Sequence, residues 1–200
     1  MKCELKKYLC LIAMSLLMTI HAQTINRYGT TTANFLEIGV GSSGTAMGDA
    51  YVAVASDVSS IYWNPAGLSN VSKSSALFMI QPWLVDIDML FAGGAMVIPR
   101  VGVIGLGITH LDYGEMDVTN LQYQDGTGER FGASDVAAAL TFSRKIVSWF
   151  SFGSSIKYIG SNIWHSSASA FAVDLGVLVY TNFFSFTGQD KDGMNIGMSI

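Results

Sequence analysis

The first stretch whose spacing could do chemistry is Gly39-Val40-Gly41-Ser42-Ser43-Gly44, a formal GxGxxG with Asp57 downstream as a ribose ligand. Glycine spacing alone is a weak signal, because the dinucleotide fingerprint also needs a strand before, a helix after and a whole βαβ unit. An exported chain that runs on into alternating strands, as this one does, reads against a nicotinamide site. No lysine follows to make a phosphate loop. Gly41-Ser42-Ser43-Gly44-Thr45 fails as a GxSxG elbow, because Thr45 stands where the last glycine belongs. His110 and His165 are isolated and lack paired metal-ligand spacing. Asp86 and Asp88 share one side of an extended chain, but calcium takes six to eight oxygens, and two loop carboxylates are ordinarily just solvated. The residues therefore assign no catalytic group, no metal and no cofactor, and the chain reads as a non-enzyme.

The elements that would carry any site follow from composition. Apolar residues make up 50% of the 200 positions and charged residues 13%, so disorder is excluded. Glycine is frequent at 21, proline scarce at 3 and aromatics reach 12%, a mix that suits strands joined by turns. A formal charge of -4 argues against nucleic acid as a partner.

Lys2, Lys6 and Lys7 precede an apolar run from Tyr8 to Ile20, and His21-Ala22-Gln23 offers a small residue before a polar one. This pattern predicts a secretory signal peptide over residues 1–22, cleaved after Ala22. The run falls short of the roughly 20 residues a spanning helix needs. Cys3 and Cys10 leave with the leader, so the mature chain is expected to have no thiol. No later apolar run reaches helix-spanning length, so a membrane form would have to be a closed barrel.

Two regions follow. Residues 23–72 are rich in Gly, Ser, Thr and Ala, with short helices predicted over 45–50 and from Asp57, as N-cap, to Trp63. Asn64-Pro65 stops the second, because the residue before a proline is pushed out of the helical region. From residue 73 the period becomes two: Val136, Ala138, Leu140 and Phe142, for example, alternate with Ala137, Ala139, Thr141 and Ser143. Strands are predicted near 74–81, 87–98, 101–113, 134–144, 148–160, 168–180 and 193–200. Soluble strands usually run 5–6 residues and bilayer-crossing ones about 9–11, so length favours a membrane sheet over a soluble one with one wet face. Pro99-Arg100 and Lys145-Ile146-Val147 read as tight turns, and 114–133 and 161–167 as longer polar loops, with Asp125-Gly126 a hairpin signal inside the first. Trp83, Tyr113, Trp149, Tyr158, Trp164 and Tyr180 gather where interfacial girdles are expected. Seven visible strands, against even counts from eight upward in single-chain bacterial barrels, lead us to expect an N-terminal fragment of a longer barrel.

The block from Gly39 to Ser69 resembles the PorV/PorQ family of Bacteroidota outer-membrane proteins, distant relatives of FadL-type channels. Its carriers are Ala46-Met47-Gly48-Asp49-Ala50, Ala53, Asp57 and above all Tyr62-Trp63-Asn64-Pro65-Ala66-Gly67-Leu68. Lys157-Tyr158 and Phe171 to Gly176 share the family's texture. The resemblance implies an all-β fold, a transmembrane antiparallel β-barrel incomplete in this chain, with strands over 73–200. Residues 23–72 would fold into its lumen as a plug of short helices. It also implies residence in the outer membrane of a Gram-negative, Bacteroidota-like cell, with lipid as a partner. Transport of hydrophobic molecules or work with type IX secretion components would be the job. Met47, Gly48, Asp57, Trp63, Asn64, Pro65, Ala66 and Gly67 are the expected plug motif, structural or gating in role. Residues such as Gly105, Gly107, Gly153 and Ser155 would leave room for it, with Asn64 bonding backbone groups and Pro65 fixing the chain direction. Two readings compete: Asn-Pro-Ala-Gly merely makes a turn, or the chain is a soluble periplasmic β-sandwich acting as a binding module. An outer-membrane hydrolase would need partners for His110 or His165 that the sequence does not offer.

Overall fold

The structure is a computed structural model and describes residues 33–85, 87–181 and 193–200. The predicted leader with Cys3, Cys10 and His21 lies outside the described residues, as does Asp86. The described chain is mainly a seven-stranded antiparallel sheet in strict sequence order, curved into a half-barrel, with a few short helical turns before it. The strands are β1 (Ser75–Pro82), β2 (Asp88–Ile98), β3 (Gly102–Asp117), β4 (Arg130–Val147), β5 (Phe150–Ile163), β6 (Ser166–Thr181) and β7 (Met194–Ser199). All seven predicted strands are present, and the all-β reading holds.

Alternation sorts the two faces as the period-two pattern predicts. On one face, called outer here, Phe78, Leu90, Ile108, Leu106, Leu140, Ile156, Val173 and Met198 are exposed. The register links them into continuous rows: Met96 pairs with Ile104, Ile104 with Phe142, Leu106 with Leu140 and Leu140 with Ile156. The inner face is mixed: Met89, Phe91, Leu111, Val103 and Ile159 form a buried apolar core with the N-terminal segment, and small or polar residues fill the rest. One row runs Val97, Val103, Ser143, Gly153, Gly176, and the next runs Ala95, Gly105, Thr141, Ser155, Asp174.

The connections depart from prediction in three places. The segment 161–167 is not a long loop: β5 ends at Ile163 and β6 begins at Ser166, with Trp164 at φ 52 and His165 making the turn. Nothing in Trp-His announces a positive φ, so the pattern hid it. The Lys145–Val147 turn is also displaced. These residues stay in β4, across a register shift, and Ser148-Trp149 makes the reversal. The predicted loop 114–133 shrinks to a tip, because β3 and β4 continue to Asp117 and Arg130 past a bulge after Asp112. Val118 and Glu129 remain backbone-bonded beyond them, so this is an extended hairpin with Asp125-Gly126 in its tip. Tyr158 sits inside β5 rather than at a strand end, its ring 5.3 Å from Phe171. The turn at Pro99-Arg100-Val101 falls as expected.

Before the sheet, short helical turns occupy Asn34–Glu37, Ser42–Ala46, Ser60–Trp63 and Pro65–Asn70. The helix predicted over 45–50 is therefore misplaced: it starts at Ser42, and Met47-Gly48-Asp49 is a turn with Gly48 at φ 62 and Asp49 at φ 65. Two consecutive left-handed residues end a helix. The second helix does stop at Trp63, with Asn64 extended at φ -158 and ψ 109. It is shorter than predicted, because Asp57 caps the turn before it: its Oδ1 accepts from Ser59 N at 2.9 Å.

Candidate functional site

The site is the place where residues 52–68 sit on the inner face of the sheet. Asn64 is at its centre and is fully buried. Its Nδ2 donates to the Val52 carbonyl at 2.9 Å and to the Val177 carbonyl of β6 at 3.1 Å. Its Oδ1 accepts from Ala66 N at 3.0 Å, closing the turn that Pro65 begins. One side chain thus ties three backbone segments together, one of them 113 residues away in sequence. A primary amide does this because it carries two donors and an acceptor on a planar head. A carboxylate could not donate, and a hydroxyl could not span the gap.

The sheet beneath is hollowed to receive this turn. A Cβ on Gly153 would collide with the Pro65-Ala66 peptide, and one on Gly176 with the Asn64 amide oxygen. The two glycines are register partners, so they form one recess two strands wide. Beside them Ser143 Oγ donates to the Ala66 carbonyl at 3.1 Å, completing the pairing of the turn. Ile61 and Leu68 lie over Gly105, Ile61 over Gly107 and Val58 over Gly93, where added Cβ atoms would come within 3 Å. Gly197 of β7 packs against the Val52-Ala53 backbone in the same way. Gly67 faces the other direction, toward the Ala55 carbonyl.

Trp63 and Tyr62 hold the segment from its upper side. Trp63 Nε1 donates to the Val40 carbonyl at 2.8 Å, and its ring fills the space left by Gly39 and Gly44. Tyr51 and Tyr62 meet it edge-on, with centroids 5.9 and 4.9 Å away. Tyr62 OH donates to the Leu36 carbonyl at 2.6 Å. Burial, reinforced by the charges of Asp49 and Glu37, pushes this phenol up to about 12, so it stays a neutral donor.

Of the eight predicted residues, the structure brings Trp63, Asn64, Pro65, Ala66 and Gly67 into one buried group. Asp57 supports it from outside by capping the turn that leads into it. Met47 and Gly48 do not join: Met47 is 47% exposed and no atom would lie within 4 Å of a Cβ on Gly48. Their sequence fits the exposed turn they form. Sequence reasoning missed Ser143 and Gly176, which only the strand register brings to Asn64, and Val177, which enters through its backbone.

Farther along the inner face Lys157 Nζ lies 2.5 Å from Asp174 Oδ2, both mostly buried. Asp135 accepts from Tyr113 OH at 2.7 Å and from Ser161 Oγ. Of the histidines, His110 stands in β3 and His165 stacks on Trp164 in a turn. Among the described residues no three His, Cys, Asp or Glu side chains converge as metal ligands. The geometry around Asn64 is that of a docking seat, with the amide bonded at both its nitrogen and its oxygen. No family model matches the chain, and no curated protein sequence matches it.

Proposed function

We propose that this chain belongs to an outer-membrane β-barrel of the PorV/PorQ type, related to FadL-like channels. In this reading the strands cross the bilayer and residues 33–72 plug the lumen. The protein then serves passage of hydrophobic molecules or type IX protein secretion. One observation carries the reading: between Arg144 at one end and Asp88 and Asp112 at the other, the described outer face has no charged side chain. It is instead an exposed apolar belt across all seven strands. A soluble protein rarely exposes a continuous apolar patch beyond a few hundred Å². Strands β2 to β6, at 11 to 18 residues, exceed the ~9–11 a bilayer needs. A soluble sandwich would bury such a belt against a second sheet, and no second sheet packs on it among the described residues.

The inner face supports the plug half of the reading. Under residues 64–66 it is small and polar, at Ser143, Gly153 and Gly176, and its contacts with that turn give the segment a fixed seat, while Phe91, Leu111 and Val103 beside it bury the segment's apolar side chains. Closure in a bilayer requires partners for the edges β1 and β7, since an unpaired edge has no water to bond there.

The test is fractionation of the full-length protein from its own cells. It is expected in the detergent-insoluble outer-membrane fraction, with a folded form that migrates differently before and after boiling. Release by osmotic shock would overturn the reading in favour of the periplasmic sandwich. For the plug, Asn64→Ala is expected to raise single-channel conductance in planar bilayers. Unchanged conductance with the barrel intact would count against it.

A further inference from the structure

The two ends of the sheet carry opposite charge. At the end that holds the 99–101 and 148–149 turns stand Lys73, Arg100, Arg144 and Lys145, and no acid among the described residues. At the other end stand Asp88, Asp112, Glu115, Asp117, Asp125, Glu129 and Asp135, with Arg130 as the one lysine or arginine there among the described residues. Arg130 is committed to its neighbours, bonding Glu115 at 3.1 Å and Asp117 at 3.0 Å. The four cations of the first end form no ion pair among the described residues and are exposed. The sequence places Asp190, Lys191 and Asp192 between β6 and β7, outside the described residues.

Three of those cations share a cavity. Arg100, Arg144 and Lys145 stand at the mouth of a space of about 370 Å³ whose walls include Val97, Val103 and Ser143 of the inner face. Beside it the surface is apolar and aromatic: Val101, Ile146, Val147 and Trp149 are all exposed. Arg144 continues the outer column of Val136, Ala138, Leu140 and Phe142, so a guanidinium sits where the apolar belt ends. A soluble anion would be served by the cations alone. Cations that border an apolar belt suit a ligand with both an anionic head and a hydrocarbon tail.

We propose that this rim binds the phosphate headgroups of anionic phospholipids, with Arg100, Arg144 and Lys145 as the contacts. The inference rests on the bilayer reading above and adds to it an orientation. The basic rim lies in the leaflet that holds anionic phospholipid, and the acidic rim faces away from it. Arg100 and Arg144 can each fork two donors onto phosphate oxygens, while Lys145 acts as a point charge.

The experiment uses full-length protein in neutral detergent, titrated with phosphatidylglycerol or phosphatidylcholine and read by native mass spectrometry. In parallel the protein is reconstituted into vesicles of each lipid. Phosphatidylglycerol is expected to be retained over phosphatidylcholine, and the Arg100→Gln/Arg144→Gln/Lys145→Gln variant to lose that preference. Three surface cations are together worth on the order of a hundredfold at low salt. Arg144→Lys is expected to restore only part of the preference when returned to the triple variant. Arg130→Gln, at the opposite rim, should leave it unchanged. Excess inorganic phosphate distinguishes the sources: a headgroup site keeps its lipid, whereas a free-anion pocket surrenders it.

Equal retention of the two lipids by wild type, or an undiminished preference in a triple variant that still shows the folded, heat-modifiable band, overturns the lipid proposal. It leaves the barrel reading standing. Failure of the wild type to enter vesicles of either lipid overturns both.

Discussion

Two stretches of the N-terminal segment each hold a short helix and differ in what they do. Gly41 to Asp49 is mostly Gly, Ser and Ala, Asp57 to Leu68 adds Val58, Ile61, Tyr62, Trp63 and Leu68, and each contains a helix of five residues or fewer. In the first only Gly44 of the helix is buried, and the turn after it faces outward. In the second Ile61, Asn64, Pro65, Ala66 and Leu68 are almost wholly buried. The difference is what lies beneath. The second stretch meets a floor of glycines and serines that can approach its backbone, whereas the first faces β1 across an open space and is hydrogen-bonded to it from Gly41 N to the Met79 sulfur at 3.1 Å. A short helix this size has little stability of its own, so the tertiary seat decides which stretch is fixed.

Filling the floor should break the comparison most severely. Gly176→Val or Gly153→Val in the full-length protein pushes a side chain into the Asn64-Pro65-Ala66 turn: at Gly153 the Pro65-Ala66 backbone stands in the way, and at Gly176 the buried Asn64 amide oxygen, with the Ala66 N–H behind it. Overpacking against rigid neighbours costs about 3 kcal/mol or more. Hydrogen exchange of the 60–70 amides should then approach that of an unstructured segment, while strand amides keep their protection. Amides of 60–70 that stay protected would mean the recess is not the seat.

Asn64→Ala comes next. It leaves the Ala66 N–H without its acceptor and the Val52 and Val177 carbonyls without their donor. Orphaned buried groups cost about 1–3 kcal/mol each, and partial relaxation keeps the sum near ~3 kcal/mol. Opening of the 60–70 segment, measured by the same exchange, should become about a hundredfold more frequent, a ratio that follows from that energy. Asn64→Asp is a sharper probe, because it keeps the acceptor for Ala66 and removes both donors. It should be no better than alanine.

The order of these two effects explains what was legible in the sequence. The strands were legible because alternation is local: Phe171, Val173, Leu175, Val177 and Val179 announce β6 without any knowledge of its neighbours. The turn chemistry of Asn64-Pro65 was legible for the same reason, since a residue before proline leaves the helix whatever surrounds it. Gly153 was expected among the small residues that leave room for the segment, but Gly176, its partner in the recess, was not. Their meeting depends on the β5–β6 register, which the two-residue turn at Trp164-His165 sets. That turn uses a tryptophan at φ 52 instead of glycine or asparagine, so the one signal that fixes the register was absent. The Met47-Gly48 stretch misled for the converse reason: its residues suit a turn, and a turn can be exposed.

Trp63→Phe tests the hold from above. It removes the donor to the buried Val40 carbonyl and part of the ring that fills the space beside Gly39 and Gly44. A loss of about 2 kcal/mol is expected, from one orphaned acceptor and a small cavity. Amides near Val40 should exchange faster along with those of 60–70, because this bond joins the two stretches being compared. If only one responds, they are independent units.

Ser60→Ala reverses the sign. Ser60 is fully buried and its Oγ has no partner among the described residues. Removing an unsatisfied buried hydroxyl should stabilise by about 1 kcal/mol and slow exchange of the segment. Faster exchange would show that the hydroxyl has a partner, such as an ordered water, in solution.

The smallest effect expected is that of Met47→Ala. The side chain is 47% exposed and belongs to no cluster of the core, so its removal should change opening by less than ~0.5 kcal/mol. The value of the variant lies in its contrast with Asn64→Ala, 17 residues later in the same family-like block. Were the two variants to loosen the segment alike, the glycine floor would not be what distinguishes the stretches. Met47 would then have to meet a surface beyond the seven strands, such as the far wall of a closed barrel. A silent Met47→Ala beside a damaging Asn64→Ala keeps the seat where the backbone bonds are, on Ser143, Gly153, Gly176 and Val177.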